Sequence, residues 1–362
     1  MTSDLILAAL GGVLDPDLRA DIVALKFVKN VAVAAGRAAF TVELSSPSAV
    51  ARERVRAAAV AAVAAVPGIT AVDVTMAFSV RATSAPEHGK PPLPGVKNVI
   101  AVGAGKGGVG KTTVAVNLAV ALSKLGARVG MLDGDIYGPN VPLMFGLQAQ
   151  LQMDGKVIRP AEKFGIQIVS MGFLAQEDSP MIWRGPMLHS AIQQFCRDVG
   201  WQDLDYLIVD MPPGTGDVAL SLSQTVPAAG AIVVTTPQQV SLADSKRAVR
   251  MYQKLNIPTL GMVENMAFYE CINCHHEADI FGHGGGEQMA NELQVPFLGR
   301  LPIYQPIRVG GDRGIPLVIA EPESVAAKAF TALAEATVIQ IAVAAQQNAI
   351  THKGKIPLVH VK

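Results

Sequence analysis

From about residue 96 onward the chain is a series of short apolar runs set between stretches of helical character. Asn98–Val102, Val129–Asp133, Tyr206–Asp210, Gly230–Thr236 and Thr259–Val263 are each almost continuously apolar. Strands without polar alternation are buried on both faces, which predicts a parallel sheet with helices on each side. Val114–Lys124, after the first run, reads as a helix. The first 80 residues follow a different pattern. Leu5–Leu14 reads as a helix stopped by Asp15-Pro16, and Ile22–Val28 and Val31–Val33 read as strands. Ala38–Leu44 alternates in strand fashion, and Ser48–Val66 is an alanine-rich helix ended by Pro67-Gly68. Ile69–Phe78 is a last strand with Val72, Val74 and Met76 on one face. Residues 1–80 should therefore form a small α+β domain, and the proline- and glycine-rich stretch 81–96 a linker. Residues 97–340 form the α/β part, and 341–362 a tail that extends a helix and receives no function.

The run at Asn98–Val102 leads into Gly105-Lys106-Gly107-Gly108-Val109-Gly110-Lys111-Thr112-Thr113. This segment fits the phosphate-loop pattern G-x-x-x-x-G-K-S/T at every fixed position, between a strand and a helix. Small residues let successive backbone N–H groups face phosphate oxygens, and a helix N-terminus adds positive potential. Lys111 would reach the β- and γ-phosphates of ATP, and the Thr112 hydroxyl would ligate Mg²⁺. The fold class is thus α/β, a P-loop NTPase with a mostly parallel sheet flanked by helices, preceded by the small α+β domain. Lys106, just inside the loop, resembles the deviant Walker A lysine of the ParA/MinD/nitrogenase-iron-protein class. That resemblance implies a lysine that crosses a dimer interface to the partner's nucleotide.

Two carboxylate loops follow at strand ends, where open α/β sheets bind ligands. In Leu132-Asp133-Gly134-Asp135-Ile136-Tyr137-Gly138-Pro139 two aspartates leave the strand together, and either could hold a water near the γ-phosphate or the Mg²⁺ shell. In Ile208-Val209-Asp210-Met211-Pro212-Pro213-Gly214-Thr215-Gly216-Asp217 an apolar strand ends in an aspartate, a Walker B arrangement with Asp210 near Mg²⁺. Gly214 and Gly216 would let that loop move.

These strings resemble the Mrp/ApbC family of ATP-dependent iron–sulfur cluster carriers over almost the whole chain. Val263-Glu264-Asn265-Met266, Cys271-Ile272-Asn273-Cys274, Phe281–Glu287 and Gly299-Arg300-Leu301-Pro302 through Asp312 also carry the likeness. Residues 1–80 resemble the small domain often fused ahead of it and implicated in iron–sulfur assembly. The resemblance implies that Asp135 positions the attacking water, that Asn265 contacts the adenine, and that Pro302 lines the base pocket.

Cys271-x-x-Cys274 admits several readings. A thioredoxin-like redox pair would sit at a helix start near the N-terminal strand of its fold, which this pair does not. Zinc on Cys271, Cys274, His275 and His276 matches in ligand type, but four near-consecutive residues poorly surround a tetrahedral ion. Iron–sulfur clusters take thiolates, typically four. One chain offers two here, so a two-fold homodimer would supply a shared 4Fe–4S cluster, as the family does. This chain has Ile272 and His275 where the family usually has proline and glycine, and residues 1–80 contain no cysteine. Cys196, in an apolar run, reads as a buried small hydrophobe.

Bulk properties narrow the alternatives. Thirty basic residues balance thirty acidic ones, and half the chain is hydrophobic. No basic patch points to nucleic acid or a membrane surface. Met1–Leu5 lacks a basic n-region, so no signal peptide is expected, and three cysteines suit a reducing cytoplasm. The expected partners are a second copy, donor or scaffold proteins, and recipient apo-proteins. A MinD/ParA-like spatial-organising ATPase should instead carry a basic amphipathic C-terminal helix. Here Ala329–Asn348 holds only Glu335 as a charge. An ATPase with a structural zinc is a further alternative.

Overall fold

The computed structural model describes residues 3–45, 47–83, 93–135, 138–148, 152–170, 173, 197–216, 219–220, 223, 225–226, 228–271, 273–274 and 276–352. It divides into two compact units, 1–81 with 338–362, and 82–337.

In the first unit α1 (Ser3–Leu10) and α2 (Ala49–Ala64) accompany a three-stranded sheet of β1 (Val28–Ala34), β2 (Arg37–Leu44) and β3 (Ala71–Phe78). β1 and β2 pair antiparallel, and β2 and β3 pair parallel. Ile6, Leu10, Phe40, Val42, Leu44, Val55, Ala59 and Val63 fill the core. The side chains of β3 at Val72, Val74 and Met76 share the inner face, as the alternation predicted. One expected strand is absent: Ile22–Phe27 is a run of turns, and β1 begins only at Val28. The Asp21 carboxylate accepts the Val23 and Ala24 N–H groups at 2.6 and 3.3 Å, and Lys26 takes a φ of 57°. Local side-chain bonds of this kind compete with a ladder. Ile22 and Phe27 are buried all the same, so their apolar character marks core and not strand.

The second unit is built on an eight-stranded sheet. Its strands are β4 (Val96–Ala104), β5 (Val129–Asp133), β8 (Ala161–Lys163), β9 (Ile166–Ser170), β10 (Leu204–Asp210), β11 (Gly230–Thr235), β12 (Thr259–Glu264) and β15 (Phe297–Arg300). The order is β15-β12-β11-β4-β10-β5-β9-β8, with every pairing parallel except β8–β9. Two small hairpins stand outside it: β6 (Gln152–Asp154) with β7 (Val157–Arg159), and β13 (Tyr269–Glu270) with β14 (Glu277–Ala278).

Every residue of β5, β10 and β11 is buried, which is why these runs show no alternation. Among the described residues the helices of the unit include α3 (Lys111–Lys124), α4 (Val141–Met144), α5 (Gln239–Lys254), α6 (Gly285–Glu292), α7 (Gln305–Arg313) and α8 (Leu317–Ala320). α9 (Val325–His352) begins here and takes up the expected tail as far as His352. It is long and apolar enough to cross a membrane by length and composition alone. Its buried positions Ala326, Ala327, Phe330, Leu333, Ala334, Val338 and Ile341 recur at three- and four-residue steps, the spacing of a packed helix face.

Candidate nucleotide site and cysteine hairpin

Three neighbouring strands end side by side. β10 lies between β4 and β5, and Asp210 stands in register with Val102 on one side and Asp133 on the other. The phosphate loop, the Asp133–Asp135 loop and the Asp210 loop therefore leave one edge of the sheet, at the carboxyl ends of the strands. Backbone bonds lock them together: Gly134 N–H donates to Asp210 O at 2.9 Å, Met211 N–H to Val102 O at 2.9 Å, and Gly214 N–H to Ala104 O at 3.0 Å.

Lys111 opens α3 directly after Gly110, which holds φ at 80°. A side chain at Gly110 would collide with the Asn265 amide, so the loop needs glycine there for its conformation and for space. Gly105, Lys106, Thr112 and Thr113 are half-buried, Gly107 and Gly108 exposed, and Val109 buried. Lys111 Nζ donates to Asp210 Oδ1 at 2.5 Å, and Thr112 Oγ1 donates to Asp210 Oδ2 at 2.7 Å. Asp135 Oδ2 is 4.0 Å from the same ammonium.

The two buried aspartates differ in their partners. Asp210 is fully buried, and that burial raises its pKa, while Lys111 and Thr112 act in the opposite sense. Asp133 is also fully buried, and its pKa is pushed up to about 7, first by burial and then by the nearby Asp210 charge. Its Oδ1 accepts Asp135 N–H at 3.1 Å, while Oδ2 accepts Val141 N–H at 3.2 Å and Ser170 Oγ–H at 3.0 Å. Asp133 is thus committed to shaping its own loop, and Asp135 is the half-buried carboxylate beside Lys111. Ser170, at the end of β9, is a contributor that the sequence did not point to, because only the register of β9 beside β5 brings it to Asp133. Ile136, Tyr137 and Asp217 lie outside the described residues.

Asn265 follows β12 and is buried, with its Nδ2 donating to Val109 O at 2.8 Å. It grips the phosphate loop itself. Pro302 is buried just beyond β15, where Leu301 N–H donates to Glu264 O at 2.8 Å and Ala267 N–H to Leu301 O at 2.9 Å.

Cys271 and Cys274 lie in the turn of the β13–β14 hairpin, whose ladder is Tyr269↔Ala278 and Glu270↔Glu277. Neither forms a disulfide; Cys274 is exposed and Cys271 half-buried. Cys271 N–H donates to His276 O at 3.1 Å and narrows the turn. Among the described residues no three His, Cys, Asp or Glu side chains are grouped to hold a metal ion. His275 and Cys196 lie outside the described residues.

Residues 95–338 match the family model described as NUBPL iron-transfer P-loop NTPase, and residues 3–76 match the model for an iron–sulfur cluster assembly protein. The chain belongs to this iron-transfer family. The iron–sulfur cluster carrier protein of Synechocystis sp. is 47% identical over 352 residues, spanning 95% of this chain and 99% of the relative. That of Deinococcus radiodurans is 44% identical over 344 residues, spanning 94% and 96%. Among solved structures, an Archaeoglobus fulgidus nucleotide-binding protein in complex with ADP is 35% identical with a TM-score of 0.57, covering 64% of this chain and 91% of its own. The cell division ATPase MinD of Pyrococcus furiosus is 26% identical with a TM-score of 0.51, covering 66% and 97%. The iron-transfer P-loop NTPases and MinD therefore share this mostly parallel sheet, and the family expectation drawn from the Asp133–Pro139 and Asp210–Asp217 strings holds.

Proposed function

We propose that this protein is a cytoplasmic, homodimeric carrier that hydrolyses ATP, holds an iron–sulfur cluster on Cys271 and Cys274, and passes it to apo-proteins. The observation that supports this reading is that one strand end leads to both candidate sites. Asn265, just past β12, holds the phosphate loop, and six residues later Cys271 opens a hairpin turn that presents two thiols.

The nucleotide half follows from the side chains. Lys111 would exchange Asp210 for β- and γ-phosphate oxygens. Thr112 Oγ1 and Asp210, already 2.7 Å apart, offer hard oxygen donors of the kind Mg²⁺ takes, which neutralises charge on the phosphates. Asp133 fixes the backbone of the loop that carries Asp135, and Asp135 orients the attacking water. Lys106 reaches the nucleotide of the second copy. Phosphoryl transfer to water needs placement and charge more than covalent help, so a slow ATPase whose cycle signals conformation is sufficient. Pro302 and its neighbours line the base pocket.

In the carrier half, a 4Fe–4S cargo takes four thiolates, and two chains supply two each. The exposed hairpin leaves the cargo within reach of a donor scaffold or a recipient. The test is anaerobic reconstitution with iron and sulfide, then visible absorbance, iron content and sizing, beside a Cys271→Ser/Cys274→Ser double variant. A dimer with about two irons per chain, half of a four-iron cluster, lost in the variant, is the expected result. Iron retained by the double variant, or zinc in place of iron, overturns the cargo assignment.

A further inference from the structure

Arg300, the last residue of β15, stands across the ladder from Glu264, the last residue of β12. Glu264 is fully buried. Its Oε2 accepts the Gly286 N–H in the first turn of α6 at 2.5 Å. A side chain at Gly286 would press on the Glu264 Cβ at 2.9 Å, so glycine lets the carboxylate in. Glu264 Oε1 faces Arg300 Nε at 3.4 Å, and among the described residues neither atom has a hydrogen-bond partner. The two charges are paired loosely, without a hydrogen bond.

The far side of the guanidinium meets the cysteine hairpin at both of its feet. Arg300 Nη2 lies 3.3 Å from His283 Nδ1 and 3.6 Å from Asp279 Oδ1. Asp279 directly follows β14, and His283 Nδ1 stands 3.1 Å from its Oδ2. The guanidinium carbon also sits 5.3 Å over the Phe268 ring, in cation–π range, and Phe268 directly precedes β13. One side chain thus touches the residue entering the hairpin and the residue leaving it. On its other flank is Glu264, whose chain neighbour Asn265 holds Val109 of the phosphate loop.

We propose that Arg300 is a positioning residue that clasps the Cys271–Cys274 hairpin to the strand end gripping the phosphate loop, so that nucleotide binding changes how the two thiols are presented. The value of the clasp for cluster transfer rests on reading the hairpin as the cargo site. A displacement of Val109 moves Asn265, and Glu264 beside it carries that displacement to a loosely made ion pair. A fully hydrogen-bonded pair would resist re-pairing, whereas this one has two unsatisfied atoms that a small shift can engage. Coupling of this kind needs a contiguous element with two arrangements; the Glu264–Arg300–Asp279 chain is contiguous, and the second arrangement is what the nucleotide would select.

The test uses the full-length protein and iodoacetamide, with alkylation of Cys271 and Cys274 resolved by peptide mass, with and without Mg·ATP. In the wild type the nucleotide changes the rate at these cysteines by at least about fivefold, the lower end for coupled sites. Arg300→Gln binds ATP with wild-type affinity and shows equal rates with and without it. Arg300→Lys, which keeps the charge but not the fork, restores part of the response. If Arg300→Gln loses its cooperative melt, Asp279→Asn decides, because that exposed carboxylate can be neutralised without disturbing the core. No nucleotide effect in the wild type, or an undiminished effect in whichever variant folds, overturns the clasp. Iron–sulfur reconstitution on the same samples separates the two ideas: a chain that takes no cluster yet keeps the Arg300-dependent response sinks the cargo reading and supports the clasp.

Discussion

The phosphate-loop edge and the cysteine hairpin belong to one unit, and they are held in opposite ways. At the edge, Lys111 is 7% exposed and Asp133 and Asp210 not at all, and three parallel strands fix their spacing. The hairpin rests on two ladder pairs and leaves Cys274 in solvent. Phosphoryl transfer depends on groups placed before the reaction begins, in a site where charge is poorly screened. A thiolate pair that exchanges cargo must instead be reached by another protein. The difference teaches that burial follows the chemistry proposed for each site: the first is built into the core, and the second is attached to it by the Arg300 contacts with Phe268 and Asp279 and by backbone bonds of Phe268 and Glu270 with Ile303.

Removing Lys111 tests the rigid side most severely. Lys111→Ala should lower ATP turnover by about 10²–10³-fold, the cost of deleting one preorganised charge-stabilising donor. It should also destabilise the fold, since the substitution leaves the Asp210 carboxylate buried without its cation. Breaking a buried pair in this way costs about 3–5 kcal/mol. Lys111 is thus a buried member of a loop whose Gly107 and Gly108 are exposed. Phosphate release and urea melts on one preparation check both effects. Unchanged turnover would break the phosphate-loop assignment, and unchanged stability would show that Asp210 does not depend on Lys111.

A smaller effect is expected from Asp133→Asn. The folded protein holds this carboxyl at about 7, against 3.8 for an unperturbed aspartate, so between these values the native state binds the extra proton. Stability then falls as pH rises from about 4 to 7, by at most ~1.4 kcal/mol per pH unit for one group, and levels off above. Asparagine cannot titrate, and the variant should lose that share of the slope while Asp210 keeps its own. Urea melts at half-unit steps between pH 5 and 8 give the difference curve. Parallel curves would mean that Asp133 is ionised throughout and that its three donors outweigh burial.

Much of the rigid side was legible from residue order. Gly105–Thr113, Asp135 and Asp210 come together at one edge of the sheet, as their places after apolar runs suggested, and those runs announced β4, β5, β10, β11 and β12. What could not be read were relations set by register between distant segments. Ser170 reaches Asp133 only because β9 lies beside β5, and Arg300 reaches Glu264 only because β15 lies beside β12. Local chemistry also misled. Ile22–Phe27 has strand composition, yet the Asp21 carboxylate and the φ of Lys26 turn it into a loop. Spacing is also silent on the bond from the Asn265 amide to the Val109 carbonyl, which joins β12 to the phosphate loop whether or not Asn265 also meets the adenine.

The smallest predicted effect sharpens the contrast from the other side. Cys274→Ser replaces an exposed thiol in the hairpin turn, and no core contact depends on it. Surface substitutions of this type change stability by no more than about 0.5 kcal/mol. In a domain of this size that is a melting shift of at most roughly 2 °C, small beside the loss expected for Lys111→Ala. ATP binding should also be unchanged, because Asn265 and not the hairpin holds the loop. A thermal melt and a nucleotide titration are sufficient. A cost of several kcal/mol would mean that the turn is packed as tightly as the phosphate loop, and the division between a fixed phosphate-loop edge and an attached cysteine hairpin would fail. A neutral melt with intact ATP binding would leave the hairpin free to be specialised for the proposed cargo without disturbing the phosphate loop.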